Sequence, residues 1–153
     1  MKATEFLKQD HAAVSELIAE LVRAADGSRR QELMDALTIA LEVHAQLEEE
    51  LFYPSLAALS GLIPEARREH ARMRNLIQDM DRRSAPSPDF LLKIGELGDM
   101  VRRHVAEEEQ AIFAEAEQLG ADELEMMGRH LEDRKQVLMT AAATGELRAR
   151  KIA

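Results

Sequence analysis

Apolar residues recur in steps of three and four along this chain, and histidines stand inside the stripes that they form. The first stripe reads Leu7, His11, Val14, Ile18, Leu21, and the second Leu37, Leu41, His44, Glu48, Leu51. The third reads Ala66, His70, Met73, Ile77, Met80, and the fourth Leu97, Val101, His104, Glu108, Ile112. Such spacing gathers residues on the one face of a helix that is buried against its neighbours. No segment shows the sustained alternation of a half-buried strand. Unbranched residues are plentiful and aromatics make up only 3%, which favours helix because straight side chains lose little freedom there. The expected fold is all-α.

Punctuation residues divide the chain into five helical stretches. The first runs from about Thr4 to Ala25 and stops at Asp26-Gly27. The second spans about Arg29 to Leu59, with Pro54 expected to kink it and Gly61 to close it. Pro64 suits the first position of the third, where a missing N–H costs nothing. The third fades at Ser84-Ala85-Pro86-Ser87-Pro88, where Ser87 can cap the fourth helix. Gly120 ends the fourth, and a fifth runs from Asp122 to about Thr144. Short connections make neighbouring helices antiparallel. The expectation is one domain over 1–153: an up-down-up-down four-helix bundle over about 4–119, an additional helix over about 122–144, and a short basic tail at 146–153. The fifth helix would pack on the bundle or serve association, so a homo-oligomer is possible.

The two halves of the bundle repeat. His44-Ala-Gln-Leu-Glu48-Glu49 matches His104-Val-Ala-Glu-Glu108-Glu109 at an offset of 60 residues, and Asp10-His11 matches Glu69-His70. A duplicated hairpin would bring four histidines and two glutamates to the bundle centre. Each such group buried without a partner costs about 1–3 kcal/mol, against a total stability of ~5–15 kcal/mol. Metal coordination removes that penalty. The candidate metal ligands are therefore His11, His44, Glu48, His70, His104 and Glu108. Each glutamate could bridge two ions. Nitrogen and oxygen donors without sulfur suit iron, with manganese or zinc possible.

Other residues carry weaker signals. Glu49 and Glu109 are solvated flank residues or acceptors for a ligand ring, with replacement of Glu48 or Glu108 as ligand the lesser alternative, and Asp10 and Glu69 either accept a hydrogen bond from a ligand or lie on the rim. Tyr53 falls one residue off the ligand face and is expected to pack. His130 is expected at the surface or in packing contacts. The methionines are expected to fill the core. Arg74 belongs to a solvated face or to a pocket mouth.

The formal net charge of −9 argues against a nucleic-acid partner. Without cysteine the chain forms no disulfide and no thiolate site, consistent with a reducing cytosol. No apolar run approaches the ~18 residues of a membrane span, and the N-terminus lacks an apolar signal core. No membrane partner and a cytoplasmic location are expected.

The ordered blocks His11, His44-x3-Glu48-Glu49, His70 and His104-x3-Glu108-Glu109, with Leu51-Phe52-Tyr53-Pro54 after the second, resemble the hemerythrin-like HHE cation-binding domain family. The resemblance covers about residues 5 to 118. It implies a non-haem di-iron centre with carboxylate and oxo or hydroxo bridges. His11 and His44 would ligate one iron, His70 and His104 the other, and Glu48 and Glu108 would bridge. Oxygen-carrying hemerythrins have a second histidine four residues after the third-helix one, where this chain has Arg74, and they end in His-x4-Asp. The missing fifth histidine leads away from oxygen transport. The resemblance implies binding of, or reaction with, oxygen, nitric oxide or peroxide in sensing or homeostasis. The alternative is a peroxide-decomposing or stress-protective enzyme, whose catalytic residues the sequence leaves open.

Overall fold

The computed structural model describes residues 1–81 and 87–145. The basic tail and Ser84, Ala85 and Pro86 of the expected connection lie outside the described residues. The long helices are α1 (Ala3–Arg23), α2 (Gly27–Leu47), α4 (Ile63–Asp81), α5 (Pro88–Glu107) and α7 (Ala121–Ala143). Two short pieces, α3 (Tyr53–Leu56) and α6 (Phe113–Ala116), continue α2 and α5 after one wide turn each. The fold is the four-helix bundle expected, α1, α2–α3, α4 and α5–α6, with α7 packed on α1 and α2.

The helix ends follow from local chemistry. Asp26, read from the sequence as a stop, is the N-cap of α2: its carboxylate accepts from the Arg29 N–H at 3.2 Å. Ser87 Oγ accepts from the Phe90 N–H at 3.1 Å and caps α5, with Pro88 at its first position. Gly120 adopts φ 91°, which lets the chain turn from α6 into α7.

The wide turns are π-helical, over Glu48–Phe52 and Glu108–Ile112. The Tyr53 N–H bonds to the Glu48 carbonyl and the Phe113 N–H to the Glu108 carbonyl, five residues back in each case. The kink expected at Pro54 is instead this turn, which lies just before it. Proline is not its cause, because the matching turn precedes Ala114. What the two share is the buried glutamate at which each begins. Turns of this kind often mark functional positions inside helices.

The core divides into two apolar clusters. One contains Leu7, Leu47, Phe52, Tyr53, Phe113 and the inner face of α7. The other contains Val14, Ile18, Leu37, Met73, Ile77 and Val101. On every helix of the bundle the candidate ligands fall between the residues of the two clusters. A polar layer therefore crosses the core.

Candidate metal centre

All six candidate ligands meet in that layer and are buried. His11, His44, His70 and His104 are 2–5% exposed, while Glu48 and Glu108 are fully buried. One group joins His11, His44, Glu48 and Glu108; a second joins His70, His104, Glu48 and Glu108. In each group the donor atoms all lie within 4.8 Å of one another. The two glutamates belong to both.

Each histidine has a carboxylate behind it. His11 Nδ1 lies 2.6 Å from Glu109 and His70 Nδ1 lies 2.7 Å from Glu49. His104 Nδ1 is 2.8 Å from Glu69 and His44 Nδ1 is 3.3 Å from Asp10. The pattern respects the repeat: Asp10 and Glu69 precede the first histidines of the two hairpins and each serves the second. A ring that donates from Nδ1 presents the lone pair of Nε2. The Nε2 atoms face one another in pairs, His11 with His44 at 3.1 Å and His70 with His104 at 3.2 Å. Two lone pairs at that distance repel unless a proton or a metal cation lies between them.

The carboxylates are also arranged for a cation. Glu48 Oε1 lies 3.1 Å from both His44 Nε2 and His70 Nε2, so it touches both halves. Glu108 Oε1 is 3.0 Å from His11 Nε2, and Glu108 Oε2 is 3.3 Å from His104 Nε2. Yet Glu48 Oε2 and Glu108 Oε1 are buried without a hydrogen-bond partner. The contact of Glu108 Oε1 with His11 is close but misaligned for a hydrogen bond. Buried carboxylate oxygens left in this state are costly in a finished core. They fit metal ligation, which needs proximity to a shared point rather than to a proton.

Without metal, protons balance the site. Burial opposes protonation of His44, but the Glu48 charge and the bond to Asp10 outweigh it and raise its pKa to about 10. His104 is likewise opposed by burial and carried up to about 11 by Glu108 and Glu48. Burial would raise the Glu48 carboxyl, but the facing histidines and Glu108 hold it well below the usual range.

Tyr53, expected to pack rather than to take a redox role, does pack in the core and also reaches the site. Its hydroxyl lies 2.5 Å from Glu108 Oε2, 3.1 Å from Glu48 Oε1 and 3.3 Å from His70 Nε2. Burial, and then the charges of Glu48 and Glu108, push its pKa upward, so the phenol keeps its proton. The π turn explains this approach to the ligands. In an α-helix, residue 52 would lie over residue 48; the wider turn puts Tyr53 there. The signal available in the sequence was its alignment with Phe113 at the repeat offset.

Arg74 is at a pocket mouth. Its guanidinium forks onto Glu42 (2.9 and 3.2 Å) and Glu49 (2.9 and 3.1 Å). Beneath it a cavity of about 30 Å³ reaches the histidine rings, walled by Val14, Leu41, Met73, Ile77 and Val101. Glu42, which the sequence did not single out, is the other half of this mouth. His130 is exposed on α7, apart from the site. No helix among the described residues is long and apolar enough to cross a membrane.

Comparison with known proteins identifies the family and the fold. The chain resembles the crystal structure of a hemerythrin HHE cation binding domain-containing protein from Mycobacterium kansasii, with a TM-score of 0.87 and 25% identity over 95% of this chain and 91% of that one. It is 30% identical over 116 residues to a DNA nickase of Nostoc, covering 74% of this chain but 33% of that protein. An uncharacterized protein of Mycobacterium tuberculosis is 26% identical over 91 residues, 59% of this chain and 56% of the relative. The chain thus spans a third to just over half of these curated relatives. The sequence profile of the hemerythrin HHE cation binding domain matches residues 2–116, a span that includes all six candidate ligands. This chain belongs to the hemerythrin HHE cation-binding domain family.

Proposed function

We propose that the protein holds two iron ions, one between His11 and His44 and one between His70 and His104, with Glu48 and Glu108 shared. The observation that carries this reading is the set of Nε2 atoms facing in pairs at 3.1 and 3.2 Å while every Nδ1 faces a carboxylate. Four protein ligands per ion leave positions for a small molecule, and bound iron would supply a redox-active Lewis acid there. The family's cation binding and the buried donor set support a metal. Iron in particular is our inference from nitrogen and oxygen donors.

The small molecule is oxygen, nitric oxide or peroxide, in iron or oxygen sensing or homeostasis. The cavity against the histidine rings supports this, since about 30 Å³ takes only a molecule of ~2 water-sized atoms. Its walls are apolar and Arg74 and Glu42 close it, which favours small uncharged ligands. A second reading, an enzyme acting on peroxide, is favoured by one feature. The Tyr53 O–H, held at 2.5 Å from Glu108, is a hydrogen-bond donor beside the proposed ions that could orient a bound peroxide.

Metal analysis with an aerobic absorption spectrum tests the centre. Two irons per chain with near-ultraviolet iron bands are expected, and a metal-free purified protein that takes up none would overturn the proposal. Peroxide then separates the two readings: sustained gas evolution, lost in His44→Ala, marks the enzyme, and a stable spectral change without turnover marks binding.

A further inference from the structure

The helix α7 lies beyond residues 2–116 matched to the family, yet it reaches the polar layer. Lys135 Nζ donates to Asp10 Oδ1 at 2.6 Å, and Asp10 Oδ2 lies 3.3 Å from His44 Nδ1. Asp10 is 7% exposed, whereas the Lys135 side chain is 38% exposed, so the lysine approaches from the surface. Three further contacts fix the register of α7. Arg134 forks onto Glu50 at 2.8 and 3.2 Å. The Met1 amine pairs with Glu125 at 3.4 Å. Gly128 packs so tightly under Met1 that an added Cβ would lie 2.0 Å from the Met1 carbonyl oxygen. The Lys135 ammonium also sits 5.6 Å from the centre of the Phe6 ring on α1.

We propose that Lys135 is a positioning residue for the metal centre, holding Asp10 in the orientation that supports His44, so that α7 governs the His11–His44 end. This rests on the metal reading above. A carboxylate buried to this degree needs a cation or strong donors nearby. His44 engages only Asp10 Oδ2, which leaves the buried Oδ1 in need of a second donor. Lys135 supplies a charge that is not itself a ligand. Asp10 is then held in place from the side away from His44. Partners of ligand histidines fix ring orientation and basicity, and losing one typically costs 10–100-fold in metal affinity. Among the four carboxylates behind the histidines, Asp10 is the one that α7 holds, so the effect belongs to one end of the site.

The test uses the full chain and zinc ions, which avoid oxygen chemistry. Calorimetric titration is run on wild type, Lys135→Met, Lys135→Gln and Lys135→Arg. Methionine keeps the packing over Phe6 and removes the charge; glutamine guards against a folding defect peculiar to methionine. We expect two zinc ions in wild type. In the neutral variants one should bind about tenfold more weakly and the other unchanged, with recovery in Lys135→Arg. Histidine-ring NMR should assign the weakened end to His11 and His44. Unchanged affinities, equal weakening at both ends, or weakening at His70 and His104 would each overturn the proposal. If wild type binds no zinc, the metal reading fails first. Ring spectra of the metal-free protein then decide the coupling: a Lys135→Met shift confined to His44 supports it, and no shift at His44 refutes it.

Discussion

Tyr53 and Phe113 occupy the same position in the two hairpins, and the hydroxyl that distinguishes them spans the halves to reach Glu108 at 2.5 Å. Both rings do the same packing. Tyr53 stacks on His70 with centres 5.5 Å apart, and Phe113 stacks on His11 at 5.7 Å. The repeat is thus equal in shape and unequal in chemistry. Tyr53→Phe should leave the fold and a stoichiometry of two metals intact. It should destabilise the metal-free protein by about 1–3 kcal/mol, because two buried carboxylates lose a donor. Denaturant unfolding of the metal-free variant, with metal analysis of the loaded one, checks both halves of this prediction.

Glu108 touches a histidine of each half, and one of its oxygens lacks a hydrogen-bond partner. Glu108→Ala should reduce the metal content from two ions to one or none. Two ions per chain with the wild-type spectrum would show that Glu108 does not bridge.

The metal-free protein should lose stability as the pH rises. The folded pKa values of His44 and His104 are raised to about 10 and about 11, against 6.5 for a free imidazole. A raised pKa contributes stability that is fully present below the unfolded value and is lost as the pH climbs through the folded one. Thermal midpoints of metal-free protein should therefore fall between about pH 6.5 and 11. Glu48, whose pKa is depressed, adds stability above the ordinary carboxylate range that disappears in acid. Bound metal should flatten the alkaline slope, since it replaces the protons. An alkaline midpoint equal to the neutral one in metal-free protein would contradict this.

Arg74 and Glu42 close the cavity over the histidines. Breaking an ion pair worth about 1 kcal/mol opens a closed state about fivefold more often. Arg74→Ala should raise the association rate of nitric oxide with the iron-loaded protein by about that factor. Stopped-flow mixing measures it; an unaltered rate would mean that ligands arrive by another route.

Gly128 has no room for a side chain beneath Met1. Gly128→Ala should cost about 1–3 kcal/mol, because the added methyl meets the backbone of Met1 and Ala3, which must shift. Loss of the Met1–Glu125 pair should accompany it, visible as a shift of the Met1 amine resonance.

The sequence by itself determined the helices, the bundle and the six inward polar groups. These follow from periodicity, and a histidine on an apolar stripe has nowhere to go but inward. The sequence leaves Asp10 and Glu69 as equal candidates for the rim and for a bond to a histidine. Tertiary structure decided the rest. The π turns at Glu48 and Glu108 shift the register by one residue, which a fixed helical period does not anticipate, and so bring Tyr53 into the centre. Arg74 met Glu42, 32 residues away, and Lys135 met Asp10, 125 residues away. Those pairings depend on which helices become neighbours and at what height. Periodicity fixes the face that a residue occupies, but only packing fixes what lies opposite.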